Sequence, residues 1–182
     1  LSQNEEILIK HAALMDGYYK NKEETDRTII NGWLHTGDKG EINKDGFLKI
    51  TGRVKDLFKT SKGKYIAPSP LEMRLAENNN IEQVCVVGVG LPSPIAIVVL
   101  SEKGKLVEDI HLFASLEETI NLVNSKIDQH EYINNIIVVN DEWTVENKLL
   151  TPTMKIKRNL IEDLYLENYQ EWHSGDKIIF FG

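Results

Sequence analysis

Residues that could do chemistry occur in this sequence in four short polar stretches. Asp38 follows a glycine in a turn, and its carboxylate could accept hydrogen bonds from two neighbouring hydroxyl groups, as a ribose offers. Arg53 carries a rigid fork of donors that suits phosphate or hydroxyl oxygens. Lys155 precedes the last predicted helix and could place a positive charge against a reacting phosphate. For each residue alone a structural role is the more common one: a turn aspartate, a strand-end arginine in an ion pair or a solvated lysine.

The fourth stretch is a lysine-rich turn from Lys59 to Lys64, which includes Lys62 and Gly63. It lacks the first glycine of a Walker A loop, which is separated from the Gly-Lys pair by four residues, but its backbone donors and lysines could still bind an anion. Residues 53–74 contain six Lys or Arg against two acidic residues, in a chain of net charge −7. A local basic region in an acidic protein suits a small anion better than a nucleic-acid backbone, and the alternative is a solvated loop.

Composition argues against several other kinds of site. The five histidines lack the spacing of metal ligands and Cys85 is the single cysteine, so no metal site is predicted. No Gly-x-Ser-x-Gly motif occurs, and the basic residues are not interleaved with aromatic residues as nucleic-acid binding requires. No apolar run reaches the roughly 20 residues that span a membrane. One cysteine cannot form an internal disulfide, which favours a reducing, cytoplasmic location.

Hydrophobic pattern and turn residues predict the elements that position these stretches. Glu41–Thr51 is predicted as a β-hairpin around Asp45-Gly46. Capping boxes predict helices that begin at Ser69, with Glu72 three residues later, and at Ser115. Three apolar runs rich in β-branched residues are predicted as buried strands: Val84–Val89, Ile95–Leu100 and Ile136–Val139.

The order of these elements predicts an α+β fold in two parts. The first third of the chain is rich in strands, and the remainder mixes strands with helices. A polar loop spans residues 141–153, and the last helix is predicted from Ile156 to about Trp172. The boundary is expected between Gly52 and Arg53, which gives domains of residues 1–52 and 53–182.

The order and surroundings of the polar stretches resemble consecutive signature sequences of the acyl-adenylate-forming superfamily. That superfamily includes acyl-CoA synthetases, luciferase and nonribosomal-peptide adenylation domains. The resemblance covers nearly the whole chain and is carried by four segments: Gly-Tyr-Tyr-Lys-Asn at 17–21, Gly-Trp-Leu-His-Thr-Gly-Asp at 32–38, Gly-Arg-Val-Lys-Asp at 52–56 and Pro-Thr-Met-Lys-Ile-Lys-Arg at 152–158. Residues 59–68 and 150–155 are most similar to long-chain fatty acyl-CoA synthetases, with Met154 in place of the superfamily's usual glycine.

The resemblance implies a role for each polar stretch. Asp38 and Arg53 would hold the ribose hydroxyls of ATP and AMP from opposite sides. Lys55 would be the hinge on which a small C-terminal domain swings between an adenylate-forming and a thioester-forming conformation. Lys155 would be the catalytic residue that contacts the acyl carboxylate and phosphate during adenylation. The turn from Lys59 to Lys64 would face the nucleotide or pantetheine after the swing.

The resemblance also implies an architecture. Residues 1–52 would be the β-rich tail of a large N-terminal AMP-binding domain, and residues 53–182 the small mobile C-terminal domain, a mixed sheet with helices. The phosphate loop, the acyl pocket and the Mg²⁺ ligand of such enzymes lie upstream of these motifs. The chain is therefore expected to be part of a longer enzyme and to be inactive alone.

The expected whole enzyme is an ATP-dependent, AMP-forming long-chain fatty acid–CoA ligase, with ATP, a fatty acid and coenzyme A as substrates. A cytoplasmic location is expected, and peripheral association at the inner membrane face stays open. One alternative is an enzyme that adenylates another carboxylic acid or loads an acyl carrier protein. An alternative of another class is a free-standing nucleotide-binding or regulatory module, which would have no need of a lysine at position 155.

Overall fold

The boundary between the two parts of the chain lies between Leu57 and Phe58. The computed structural model describes residues 1–181, and the units are Leu1–Leu57 and Phe58–Gly182. The sequence predicts this boundary five residues earlier, after Gly52. The division into units does not show where the two units could move relative to each other. The role of Lys55 as a hinge therefore stays a prediction.

The first unit is built on an antiparallel sheet. Its elements are β1 (Glu6–Ile9), α1 (Lys22–Thr28), β2 (Ile29–Ile30), β3 (Trp33–Ile42) and β4 (Leu48–Arg53). The long strand β3 pairs with β1, β2 and β4, so it is the strand on which the other three are assembled.

The predicted hairpin is confirmed as β3–β4. Ile42 and Leu48 face each other at its end, and the turn between them contains Gly46 at φ +84°. The Asn43 side-chain oxygen accepts hydrogen bonds from the backbone nitrogens of Asp45 at 3.0 Å and Phe47 at 2.8 Å. Asparagine and glycine therefore supply, respectively, the local acceptor and the left-handed backbone conformation that a tight turn needs.

The second unit combines a four-stranded mixed sheet with helices, as the α+β prediction expects. Its elements are β5 (Phe58–Lys59), β6 (Tyr65–Ile66), α2 (Pro68–Leu75), β7 (Ile81–Val87), β8 (Ile95–Leu100), α3 (Asp109–Asn124), β9 (Ile136–Val139), α4 (Arg158–Tyr165), α5 (Tyr169–Ser174) and β10 (Ile178–Phe181). The strand order is β10-β9-β8-β7, with β7 antiparallel to β8 and the other two pairings parallel. Strands β5 and β6 form a separate small hairpin. The three predicted strands are confirmed, and β10 is a strand that the sequence analysis did not predict.

Helices cover both faces of this sheet, which explains why its strands are almost continuously apolar. Successive side chains of a strand point to opposite faces. Val84, Val86, Ala96 and Val98 pack with leucines of α2 and α3 in one core cluster. Cys85, Val87, Ile95 and Ile97 pack with aromatic side chains of α4 and α5 in the other.

Both capping-box predictions are wrong. Helix α2 begins at Pro68, so Ser69 lies within its first turn and does not cap it. Helix α3 begins at Asp109, and Ser115 lies in its interior. The apolar positions Leu112 and Leu116 are both buried, and they place the residues before Ser115 on the same helix. The predicted last helix is also divided, because a 3₁₀ turn at Leu166–Asn168 separates α4 from α5.

Candidate functional site

Asp38 and Arg53 are brought together by the β3–β4 hairpin. They are direct cross-strand partners, and Arg53 Nε lies 3.4 Å from Asp38 Oδ1. Both side chains reach solvent, with exposed fractions of 56% for Arg53 and 36% for Asp38. An acceptor and a forked donor are therefore adjacent and accessible at the end of one strand pair, which is where a small polar ligand could contact both.

The segment before Asp38 is held by strand β1. Glu6 accepts a hydrogen bond from the Gly37 backbone nitrogen at 2.9 Å, and its other carboxylate oxygen lies 2.8 Å from His35 Nδ1. Thr36 Oγ1 donates to the Ile7 carbonyl at 2.8 Å and accepts from the Asp38 backbone nitrogen at 3.1 Å. Glu6 was not predicted from the sequence, where the available signal was a carboxylate at the start of an apolar strand.

Lys55 lies in a 3₁₀ turn, Val54–Asp56, that follows β4 directly. Its side chain is exposed and it is two residues from Arg53. The turn joins the last strand of the first unit to the first strand of the second, β5.

The lysine-rich turn connects β5 to β6. Its backbone is hydrogen-bonded within the second unit: Thr60 N to the Lys64 carbonyl, Gly63 N to the Thr60 carbonyl and Ser61 N to the Leu91 carbonyl, each at 2.9 Å. These three N–H groups are therefore occupied. The ammonium groups of Lys59, Lys62 and Lys64 are exposed and could meet an anion, and that of Lys59 lies 5.6 Å from the centre of the Tyr65 ring.

An open cavity of about 720 Å³ lies beside this turn. Its lining includes three lysines, Lys62, Lys64 and Lys177, together with His130 and Ser93. The excess of ammonium groups makes this cavity suited to a phosphorylated ligand.

His173 contacts Ser93, a residue that lines this cavity, and its neutral form is favoured. His173 Nε2 lies 2.8 Å from Ser93 Oγ. Burial, and to a smaller extent the positive charge of Lys62, lower the pKa of His173 from its ordinary value. His173 therefore adds little positive charge beside the cavity lysines.

Lys155 lies at the end of a tight turn. Its backbone nitrogen donates to Thr151 Oγ1 at 3.1 Å, and its carbonyl accepts from the Thr151 backbone nitrogen at 2.8 Å. Met154, just before it, adopts a left-handed conformation at φ +61°, which glycine reaches more easily. The turn fixes the backbone of Lys155 while its side chain is exposed to solvent.

The predicted residues are thus divided between the two units. The first contains Asp38, Arg53 and Lys55, and the second contains the lysine-rich turn and Lys155. Among residues 1–181, no group of three or more His, Cys, Asp or Glu side chains could hold a metal ion. None of the helices described in this range is long and apolar enough to cross a membrane.

Comparison with known proteins assigns the chain to a family. The model of the AMP-binding enzyme C-terminal domain matches residues 55–174, about two thirds of the chain. Among curated relatives, long-chain-fatty-acid–CoA ligase FadD15 of Mycobacterium tuberculosis is 28% identical over 93% of this chain and 31% of its own length. Long chain acyl-CoA synthetase 1 of Arabidopsis thaliana is 32% identical over 92% of this chain and 28% of its own length. The chain therefore spans about a third or less of the length of these relatives.

Solved structures share the fold. The adenylation domain of a carboxylate reductase from Mycobacterium chelonae superimposes with a TM-score of 0.78 at 25% identity, over 93% of this chain and 28% of that one. The corresponding domain from Segniliparus rugosus, solved with AMP and a co-purified carboxylic acid, gives a TM-score of 0.76 at 24% identity, over 91% and 27%. Sequence match and fold agree, and the chain belongs to the AMP-binding enzyme C-terminal domain family.

Proposed function

We propose that this chain is the C-terminal part of a long-chain fatty acid–CoA ligase. The ligase would use ATP to convert a fatty acid to an acyl-adenylate and would then transfer the acyl group to coenzyme A. The observation that carries the proposal is the contact between Asp38 and Arg53, the two residues that the resemblance assigns to the nucleotide ribose. The curated relatives support the choice of acid and acceptor, because their names specify long-chain acyl-CoA synthesis.

Asp38 and Arg53 would bind the ribose of ATP and of the adenylate. The Asp38 carboxylate can accept hydrogen bonds from both ribose hydroxyls, and the Arg53 guanidinium can donate to the oxygens on the other side. Glu6 holds the turn that precedes Asp38, so the acceptor would be in place before the nucleotide arrives.

Lys155 would act in the first half-reaction. Negative charge develops on the α-phosphate as the fatty acid carboxylate attacks, and a positioned ammonium group stabilises this charge more in the transition state than in the ground state. The exposed side chain on a hydrogen-bonded turn suits that role, because the turn limits where the ammonium group can go.

The lysine-rich turn, with Lys59, Lys62, Gly63 and Lys64, would contact coenzyme A or the nucleotide in the second half-reaction. The lysine-lined cavity beside the turn supports this assignment, because coenzyme A carries several phosphate charges. Mg²⁺ would be bound by the N-terminal part of the enzyme, upstream of the motifs in this chain, as the resemblance implies. We also propose a cytoplasmic location, which the presence of one buried cysteine, Cys85, favours, and leave open peripheral association at the inner membrane face.

A first test needs only the coding sequence upstream of Leu1. A threonine- and glycine-rich phosphate loop a few hundred residues upstream would support the ligase. A start codon immediately before Leu1 would contradict it and would favour a free-standing binding module.

The decisive test separates the two half-reactions in the full-length ligase. Lys155→Ala should slow adenylate formation from ATP and fatty acid by on the order of 10²- to 10³-fold, because one transition-state contact is removed. Conversion of supplied acyl-adenylate and coenzyme A to acyl-CoA should be largely spared. Lys157→Ala, two residues away, is the matched control and should leave both half-reactions near the wild-type rate.

Three outcomes would contradict the proposal. Normal adenylation by Lys155→Ala would show that this lysine is a solvated surface residue, and equal damage to both half-reactions would remove its specific role. Adenylate formation without any acyl-CoA product would indicate another acceptor, such as an acyl carrier protein.

Residues 1–182 alone should form neither product, because catalysis requires the reactants to be placed together.

A further inference from the structure

A buried ion pair connects two helices of the second unit. Arg158, the first residue of α4, places Nη2 at 2.7 Å from Glu72 Oε1 and 2.9 Å from Glu72 Oε2. Glu72 lies on α2 and is separated from Arg158 by 86 residues. The exposed fractions of the two side chains are 14% and 13%, so the pair is largely shielded from water.

The same pair closes the edge of the sheet at Val86. Strand β7 is the edge strand in the described order, so one row of its backbone groups faces away from β8. The Val86 nitrogen donates to Glu72 Oε1 at 2.8 Å, and the Val86 carbonyl accepts from Arg158 Nη1 at 2.8 Å. Carboxylate and guanidinium together satisfy both backbone groups of Val86, as a neighbouring strand would.

This arrangement fixes the chain three residues after Lys155. The segment between Lys155 and Arg158 is short and hydrogen-bonded. Ile156 forms a β-bridge with Leu150, and the Lys157 nitrogen donates to the Leu149 carbonyl at 2.8 Å. Arg158 then anchors the end of the segment to β7 and α2. Backbone pairing thus joins the two ends of the turn that carries Lys155, and the buried Arg158 side chain anchors the chain directly after it.

We propose that Arg158, with Glu72 as its partner, is a positioning residue that sets where the Lys155 ammonium group lies during adenylation. The inference rests on the proposed role of Lys155. A solvated lysine on a flexible turn would sample many positions, whereas an anchored turn restricts the origin of its side chain. A buried charge is strongly disfavoured without its partner, so the pair holds one arrangement of α4 against β7 and α2.

Two conservative variants of the full-length ligase test the inference. Arg158→Lys keeps the charge but loses the fork that reaches Glu72 and the Val86 carbonyl together. Glu72→Gln keeps an acceptor for the Val86 nitrogen but loses the charge. Each should lower kcat for adenylation by on the order of 10²-fold with little change in KM for ATP, because misplacement by about 1 Å has an effect of this size. Turnover of supplied acyl-adenylate with coenzyme A should stay near the wild-type rate.

The double variant Lys155→Ala/Arg158→Lys separates positioning from general damage. If Arg158 acts through Lys155, the double variant should form adenylate no more slowly than Lys155→Ala alone. Arg74→Lys is the matched control. Arg74 also lies on α2, but it lines a cavity together with residues of α3 and is not part of the ion pair between Glu72 and Arg158. It should leave both half-reactions unchanged.

Each alternative outcome overturns the inference. Loss of both half-reactions, including loss through unfolding, would show a structural role only. Normal adenylation by both variants, or a further decrease in the double variant, would show that Lys155 does not depend on Arg158. Normal adenylation by Lys155→Ala would instead defeat the proposed function itself, so the two failures are distinguishable.

Discussion

At the scale of single residues, His173 carries a pH dependence that can be measured. Its ring contacts Ser93, and Lys62 contributes positive charge nearby. Burial first, and Lys62 second, lower the pKa of His173 in the folded state below its ordinary value of about 6.5. The unfolded chain therefore binds the proton more readily than the folded chain does. The resulting stability is fully present above the ordinary pKa and is lost as the pH falls through the folded-state pKa.

We expect His173→Gln to flatten the pH dependence of the free energy of unfolding as the pH falls from above the ordinary histidine pKa of about 6.5 to below it. Glutamine can still bond to Ser93 but does not titrate. Urea unfolding should be followed by tryptophan fluorescence in a Trp33→Phe background, so that Trp143 and Trp172 of the second unit report the transition. His111→Gln, at an exposed position of α3, is the control and should keep the wild-type dependence. An unchanged slope in His173→Gln would refute the assignment.

The residues of the candidate site were predictable to different degrees. Asp38, Arg53 and Lys155 lie in contiguous motifs, and the Asp-Gly turn at 45–46 is enough to predict a hairpin between the first two. Their supporting partners were not predictable, because they come from distant parts of the chain. Glu6 reaches a histidine 29 residues away, and Glu72 reaches an arginine 86 residues away. No local pattern encodes such pairs, since the fold alone brings them together.

At the scale of elements, the Asn78 side chain links the α2–β7 loop to α3. Its Nδ2 donates to Ser115 Oγ at 3.0 Å and to Thr119 Oγ1 at 2.8 Å, and its Oδ1 accepts from the Asn80 nitrogen at 2.9 Å. Ser115 thus serves as an acceptor for a neighbouring loop and does not cap a helix. The capping-box prediction failed because it assumed that the serine bonds locally.

Asn78→Ala should therefore destabilise the second unit by about 1–2 kcal/mol, since three partly buried hydrogen-bonding groups lose a partner. Chemical denaturation monitored by tryptophan fluorescence gives the free energy of unfolding directly. Asn79→Ala is the matched control, because the neighbouring side chain is exposed and only its backbone carbonyl is bonded to Ser101. Equal stability of the two variants would argue against the bridging role of Asn78.

Strand prediction shows where local pattern suffices and where it fails. The runs that form β7, β8 and β9 are apolar throughout because helices cover both faces of the sheet, and this composition is visible in the sequence. Strand β10 is short, and Phe180 at its centre is 49% exposed. It pairs in parallel with β9, some 40 residues earlier, so its existence depends on tertiary contacts that the local sequence does not reveal.

At the scale of the whole molecule, the chain consists of two units with separate sheets joined through the segment that contains Lys55. The sheet of the first unit ends with β4 at Arg53, and the first strand of the second unit begins at Phe58. Between them lies one 3₁₀ turn, Val54–Asp56. A single short connection of this kind is where a change in a few backbone angles could reorient one unit as a body.

This connection makes Lys55→Pro a test of the proposed swing between the two half-reactions. Proline fixes φ near −65° and also restricts the residue before it, so it should stiffen the turn. In the full-length ligase we expect adenylate formation to be largely retained and conversion of supplied acyl-adenylate to acyl-CoA to be lost, the reverse of Lys155→Ala. Lys55→Ala is the control: it removes the same ammonium group but leaves φ free, so it should keep both half-reactions. If the alanine variant loses acyl transfer as completely as the proline variant, the charge of Lys55 matters and its backbone freedom does not. If the proline variant transfers the acyl group normally, the reorientation takes place elsewhere in the chain.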